Sequence, residues 1–280
     1  MTNILKLWFS SIRATFASPG ALLVFATIYA FLLVASYIFI SVHEATIWQV
    51  LVTYALMILI PIGFFILQSS IINRALDQRL RWRVILIDAL KFLVIFIPVV
   101  LVIWLLYYLL NKLAVRYPPP VMPPFDPKAK PVTPPLHWPS LLFGTLRFVL
   151  LGIAFPLATI HLWIAIAGGE VRSLFSGGVK AGSKRIASAL ARAFSSDSVF
   201  IYALGLIIFF VVPYLILIPT FAINSQKTEF AFFGLRLLLA FLFSLIGWVL
   251  TLNALARSVP ASTPEVSETS DVALPSESAA

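Results

Sequence analysis

Six blocks of near-continuous apolar residues, separated by short polar or basic stretches, constrain this chain more than anything else in it. They fall at roughly 21–41, 47–68, 84–110, 140–167, 198–221 and 230–252. A helix rising ~1.5 Å per residue needs ~20 residues to cross ~30 Å of hydrocarbon, so each block is long enough to be a span. Lipid offers no hydrogen bonds to the backbone, which leaves helices or a closed barrel. A barrel would be written as short alternating strands, and these blocks are solidly apolar. The expected fold is therefore all-α, a polytopic transmembrane bundle of six spans. Composition agrees: hydrophobic residues are 61% of the chain and charged residues 11%, too few to cover a surface in water. The first block, Ala21 to Val42, exceeds the ~7–15 residues of a signal-peptide core and is expected to stay as a membrane helix.

Lysine and arginine set the threading. With the N-terminus inside, the inner segments carry Lys6, Arg13, Arg74, Arg79, Arg81, Arg83, Lys91, Arg172, Lys180, Lys184, Arg185, Arg192 and Arg257. The outer segments carry Lys112, Arg116, Lys128, Lys130 and Lys227. Thirteen cations against five place both termini in the cytoplasm. The same distribution accounts for the net charge of +9 without a nucleic-acid partner, because the cations are scattered between apolar blocks and form no basic patch. Residues 1–257 form the six-span domain. The outer loop 111–139 holds ten prolines between Tyr117 and Pro139, which predicts an extended polyproline strap able to meet a protein partner. The tail 258–280, rich in Ser, Pro and Glu, is expected to be disordered and is the other segment open to a protein partner.

One junction occurs twice. Residues 3–17 place apolar side chains at Ile4, Leu5, Trp8, Phe9, Ile12 and Phe16, with Lys6, Ser10 and Arg13 on another face. This pattern predicts an amphipathic helix lying in the membrane interface, broken by Ser18-Pro19-Gly20. Residues 179–194 repeat it, with Val179, Ile186, Leu190 and Phe194 opposite Lys180, Lys184, Ser188 and Arg192, before the break Ser195-Ser196-Asp197-Ser198. Lys6, Arg13, Lys180, Lys184 and Arg192 are the expected contacts to membrane lipids. Each helix leads a two-span hairpin, and the hairpins end in IINRAL (71–76) and TLNALA (251–256), with Asn73 against Asn253. Two spans separate the copies, so a duplication would be a parallel one about an axis along the membrane normal. Convergence on the same junction physics is the alternative. The layout over 3–257, carried by IRATFASPG, ARAFSSDS and the alternating hairpins, resembles six-span bacterial membrane proteins, including the membrane domain of some glycerophosphodiester phosphodiesterases. That resemblance implies a bacterial cytoplasmic membrane. It transfers no catalytic residue, because the hydrolase domain has no counterpart here.

Chemistry-bearing residues are sparse. The chain has no cysteine, which removes thiolate ligands and a thiol nucleophile. VHEATI (42–47) opens like a zincin helix, but Ile47 stands where the second histidine should be. GGVKAGSKR (177–185) orders Gly-Ser-Lys and not the Gly-Lys-Ser of a phosphate loop. Neither a metal nor a cofactor is expected. Arg147 and Arg236 lie inside spans at similar depth below the outer surface. They read either as a shared site for an anion or lipid headgroup, or as side chains snorkelling to the interface. His161, deep in the fourth span, is a third candidate for an anion or lipid headgroup, and reads otherwise as a proton-relay candidate or as a hydrogen-bonded packing residue. Asp88 and Lys91, at i and i+3, are expected to pair. Prolines 61, 98, 156 and 213 each free a carbonyl inside a span. The first functional expectation is a non-enzymatic protein of lipid or solute handling, or a membrane scaffold. A membrane-embedded lipid-processing enzyme is the alternative.

Overall fold

The computed structural model describes residues 2–43, 46–76, 81–118, 136–169, 178–219 and 225–259. Eight helices account for nearly all of them: α1 (Thr2–Phe16), α2 (Pro19–Ser41), α3 (Ile47–Ala75), α4 (Trp82–Ala114), α5 (Trp138–Ala167), α6 (Gly178–Ala193), α7 (Ser196–Leu217) and α8 (Gln226–Ser258). Six of them, α2 to α5, α7 and α8, are long and apolar enough to cross a membrane, as in a multi-pass membrane protein. No strand occurs among the described residues. Residues 119–135, most of the expected polyproline strap, and the tail from 260 onward, expected to be disordered, lie outside the described residues.

Local chemistry fixes several helix ends. Pro19 opens α2 in its first turn, where its missing N–H costs nothing. Thr46 and Gln49 form a capping box on α3, each accepting from the other's backbone amide, at 3.4 and 2.9 Å. The Ser195 hydroxyl accepts from the Ser198 amide at the start of α7. Helices outrun the apolar blocks. The second span continues to Ala75 instead of stopping at residue 68, because Gln68, Ser69, Ser70 and Asn73 are buried among neighbouring helices and not at a water boundary. The fifth stops at Leu217 and not at 221, since Pro219 has no N–H with which to extend the ladder.

The α2/α3 and α7/α8 hairpins run in the same direction, and α3 packs directly on α8. The end that carries α1 and α6 is called basal here, and the opposite end distal. α5 joins the bundle against α3, α4, α7 and α8. Close approach of α7 and α8 relies on glycine. A Cβ on Gly205 would collide with the Thr251 side chain, and one on Gly247 would meet the Phe209 backbone nitrogen at 2.7 Å. The large, fully buried side chains, among them Ile72, Phe92, Leu157, Ile201, Val249 and Leu252, all lie in the basal halves of their helices.

Two of the four span prolines are built into π-helical turns of the same design. In α5 the Phe155 amide donates to Leu150, five residues back, and Pro156 follows. In α7 the Val212 amide donates to Ile207, and Pro213 follows. The carbonyl four residues before each proline is then served from another helix. Tyr202 donates its hydroxyl to Gly152 at 3.1 Å, and Ser244 donates to Phe209 at 3.0 Å. The freed carbonyls expected from the prolines thus become ties between helices at these two positions.

The leading helices correct one expectation. In α1 the face turned into the protein is Ile4, Trp8, Ser11 and Thr15, while Leu5, Phe9 and Phe16 are exposed beside it. The single apolar stripe read from sequence is two adjoining stripes, one on the bundle and one facing outward. α6 behaves alike: small Gly182, Ala189 and Ala193 are buried, and Ile186 and Phe194 are exposed. The copies dock differently, however. α1 lies on α8, where Asn253 donates to Thr15 at 2.9 Å, whereas α6 lies on α5. Ser18 also differs from Ser195, which holds the same N-cap place before α7: the Ser18 hydroxyl accepts from Arg74 of α3 and does not cap α2.

Candidate functional site

Two concavities stand out, at different levels of the bundle. The larger is a lateral groove of about 450 Å³ between the two hairpins, walled by Leu32, Phe64, Leu67, Phe209 and Leu245. Its polar groups are few. The Trp248 indole donates to the Gln68 side-chain oxygen at 2.8 Å, tying α8 to α3. Tyr29 faces Ser244, whose own proton goes to Phe209. The groove spans the middle of α2, α3 and α8, where an apolar opening meets acyl chains. Sequence reasoning missed these residues. The only signal was Gln68 closing an otherwise apolar block, and it reads equally as the edge of a span.

The smaller concavity, about 140 Å³, is basal and about half polar. His161, Arg192, Ser195, Asp197 and Ser198 line it, with Ile4 and Leu7 of α1 along one side. The structure therefore brings together two residues singled out separately in the sequence, His161 and Arg192. His161 is only 3% exposed, and its Nε2 has no hydrogen-bond partner among the described residues.

The two span arginines belong to different helix pairs. Arg147 on α5 donates to the Asn111 side-chain oxygen of α4 at 2.6 Å, and its guanidinium lies 5.7 Å over the Tyr107 ring. Arg236 on α8 donates from Nε to the Ile216 carbonyl at 2.7 Å. That carbonyl is among the last four of α7, which lack intrahelical donors and sit at the negative end of the helix dipole. Each arginine thus binds a neighbouring helix end. Lys6, Arg13, Lys180 and Lys184 are exposed on α1 and α6, and Arg192 is half-buried with its Nε directed at the Ser188 carbonyl, 3.4 Å away.

A buried polar cluster lies near the basal ends of α3 and α4. Lys91 pairs with Asp88 at 2.8 Å, as the i, i+3 spacing predicts, and Asn73 donates to the other Asp88 oxygen at 3.2 Å. Ser69 donates to the Ile85 carbonyl at 2.9 Å. These bonds hold the α3–α4 contact and leave the Asp88 carboxylate engaged on both oxygens. Among the described residues no three His, Asp or Glu side chains converge on one point. No protein-family model, curated protein or solved structure matches this chain.

Proposed function

We propose that this is a lipid-handling protein without catalysis of its own, set in a bacterial cytoplasmic membrane with the basal end and both termini toward the cytoplasm. The lateral groove between the hairpins carries this reading. It is apolar over most of its wall, lies at mid-span, and ends against the Gln68–Trp248 bond, a form suited to one acyl chain. Two similar hairpins meeting around such a groove also match the general tendency of membrane proteins to place binding sites between repeats. Orientation rests on charge. Lys6, Arg13, Arg74, Arg81, Arg83, Lys91, Lys180, Lys184, Arg192 and Arg257 lie toward the basal end, against Lys112, Arg116 and Lys227 at the distal end. Exposed Leu5, Phe9, Phe16, Ile186 and Phe194 beside exposed lysines suit α1 and α6 to the inner leaflet.

The test is photo-crosslinking with a phospholipid bearing a diazirine midway along one acyl chain, followed by peptide mapping. Crosslinks are expected to concentrate in 29–36, 60–68 and 244–248, and a Leu245→Trp substitution that fills the groove should remove them. Labelling that merely follows exposure, as strong on the outer face of α4 around Trp104 as in the groove, would overturn the proposal.

A further inference from the structure

The basal pocket is assembled from five separate elements. α1 supplies Ile4 and Leu7, α5 supplies His161, the last turn of α6 supplies Arg192, the start of α7 supplies Asp197 and Ser198, and the end of α8 supplies Ser258 and Val259. Its floor is unusual. His161 and Ser198 are each 3% exposed, yet the His161 Nε2 meets no acceptor or donor among the described residues. A buried polar nitrogen without a partner forfeits its hydration, and native proteins rarely leave one so. Ser198 accepts from the Ser195 hydroxyl at 3.0 Å, which leaves its own proton available to a further acceptor. The α7 N-terminus adds its positive dipole end. The Ser198 and Val199 amides donate to Ser195, so the first amides of the helix are the ones left over. With the Arg192 guanidinium at the same pocket, the floor and one wall suit an oxyanion.

The rim carries the opposite sign. Asp197 is exposed, and its carboxylate would repel a bare phosphate dianion. It suits a cation a few ångströms from the anion. Depth matters too. His161 stands six residues from the end of α5, about 9 Å into the span at ~1.5 Å per residue. With α1 and α6 on the inner leaflet as proposed, that is the level of lipid headgroups and the first acyl carbons. At ~30 Å³ of liquid volume per water, about 140 Å³ holds a phosphate-sized group with a short polar substituent. Ile4, Leu7, Ile201 and Val259 give the pocket an apolar side.

We propose that the basal pocket binds a zwitterionic phosphodiester headgroup, with the phosphate toward His161, Arg192 and Ser198 and a primary ammonium toward Asp197. This site uses no residue of the lateral groove, and it rests on the lipid-handling reading only for the source of the phosphodiester.

The whole chain, reconstituted in vesicles of equal phosphatidylethanolamine and phosphatidylglycerol, is extracted mildly, and the retained lipids are measured by native mass spectrometry. The ethanolamine lipid should be retained in preference. Asp197→Asn, at an exposed position, should abolish the preference without lowering total retention. Arg192→Gln should reduce retention of both lipids about tenfold. Ser198→Ala should reduce it less, and His161→Gln tests the floor in a variant whose fold is checked by its melting curve. Short-chain versions of both lipids repeat the comparison with the contribution of the acyl groove removed. A preference that persists there upholds the headgroup site even if groove crosslinking fails. Unchanged preference in Asp197→Asn, or unchanged retention in Arg192→Gln, overturns the proposal. Stabilisation by inorganic phosphate as strong as by either lipid, with no preference between the lipids, overturns the lipid source and leaves a free-phosphate site.

Discussion

Tyr202→Phe removes one hydroxyl and changes nothing else in the packing, which makes it a clean test of the proline-linked π turns. Tyr202 is 3% exposed and donates to the Gly152 carbonyl, which Pro156, four residues on, cannot serve. Hydrogen bonds between membrane helices average ~0.6 kcal/mol and reach ~1.7 kcal/mol, the lower values arising where the freed group finds another partner. Gly152 has no backbone donor at the usual spacing, so the expected cost is about 1–1.7 kcal/mol. Pro156→Ala restores an N–H there. In that background Tyr202→Phe should cost only a few tenths, a coupling of about 1 kcal/mol between residues that do not bond each other. Reversible unfolding in mixed micelles, titrated with a denaturing detergent, measures all four corners of the cycle. Equal costs for Tyr202→Phe in the two backgrounds would refute the idea that the hydroxyl replaces the missing amide.

Ser244→Ala should behave likewise through Phe209 and Pro213, again with a loss of about 1 kcal/mol that Pro213→Ala diminishes, read by the same titration. Gly247→Ala should destabilise by about 1–3 kcal/mol, since the added carbon meets backbone at 2.7 Å and backbone cannot swing aside; a wild-type melting curve would contradict it. The chain has no cysteine, so single substitutions report topology directly. Ser140→Cys at the distal end should react with an impermeant maleimide in intact spheroplasts, and Ser10→Cys only after lysis; the reverse result would invert the proposed orientation. Asn111→Ala should strand the Arg147 guanidinium among apolar neighbours and lower thermal stability more than Asn111→Gln, which preserves an acceptor; equal effects would show that the bond contributes nothing.

Span number was legible because apolar length is a property of the chain taken one segment at a time. So was the Asp88–Lys91 pair, three residues apart on one helix. Partners between helices were not. Gln68 and Trp248 lie 180 residues apart, and Asn253 and Thr15 lie 238 apart. Which faces meet depends on the rotation of each helix, and a helix that is apolar all round carries no stripe to reveal it. The same ambiguity hid the two stripes of α1. Ile4 and Leu5 are equally apolar in the sequence, and only the presence of α8 decides that one is covered and the other exposed. His161 and Arg192 were each recognisable alone, but their shared pocket required α5 and the α6–α7 corner to be placed side by side.

The concentration of fully buried side chains in the basal halves of the helices has a mechanical consequence. A bundle fastened at one end behaves as a set of levers with a common fulcrum. Contacts such as Ile72, Val249 and Leu252 fix the fulcrum, while the distal arms of α4 and α8, with Trp104, Phe230 and Leu238 exposed, are held to their neighbours through the Arg147–Asn111 and Arg236–Ile216 bonds. Small rotations at the basal end are therefore magnified toward the distal turns, where these two bonds meet them. Compliance of this kind is directional: amide exchange should be fastest in the distal turns of α8 and slowest around Val249, whatever occupies the groove between them.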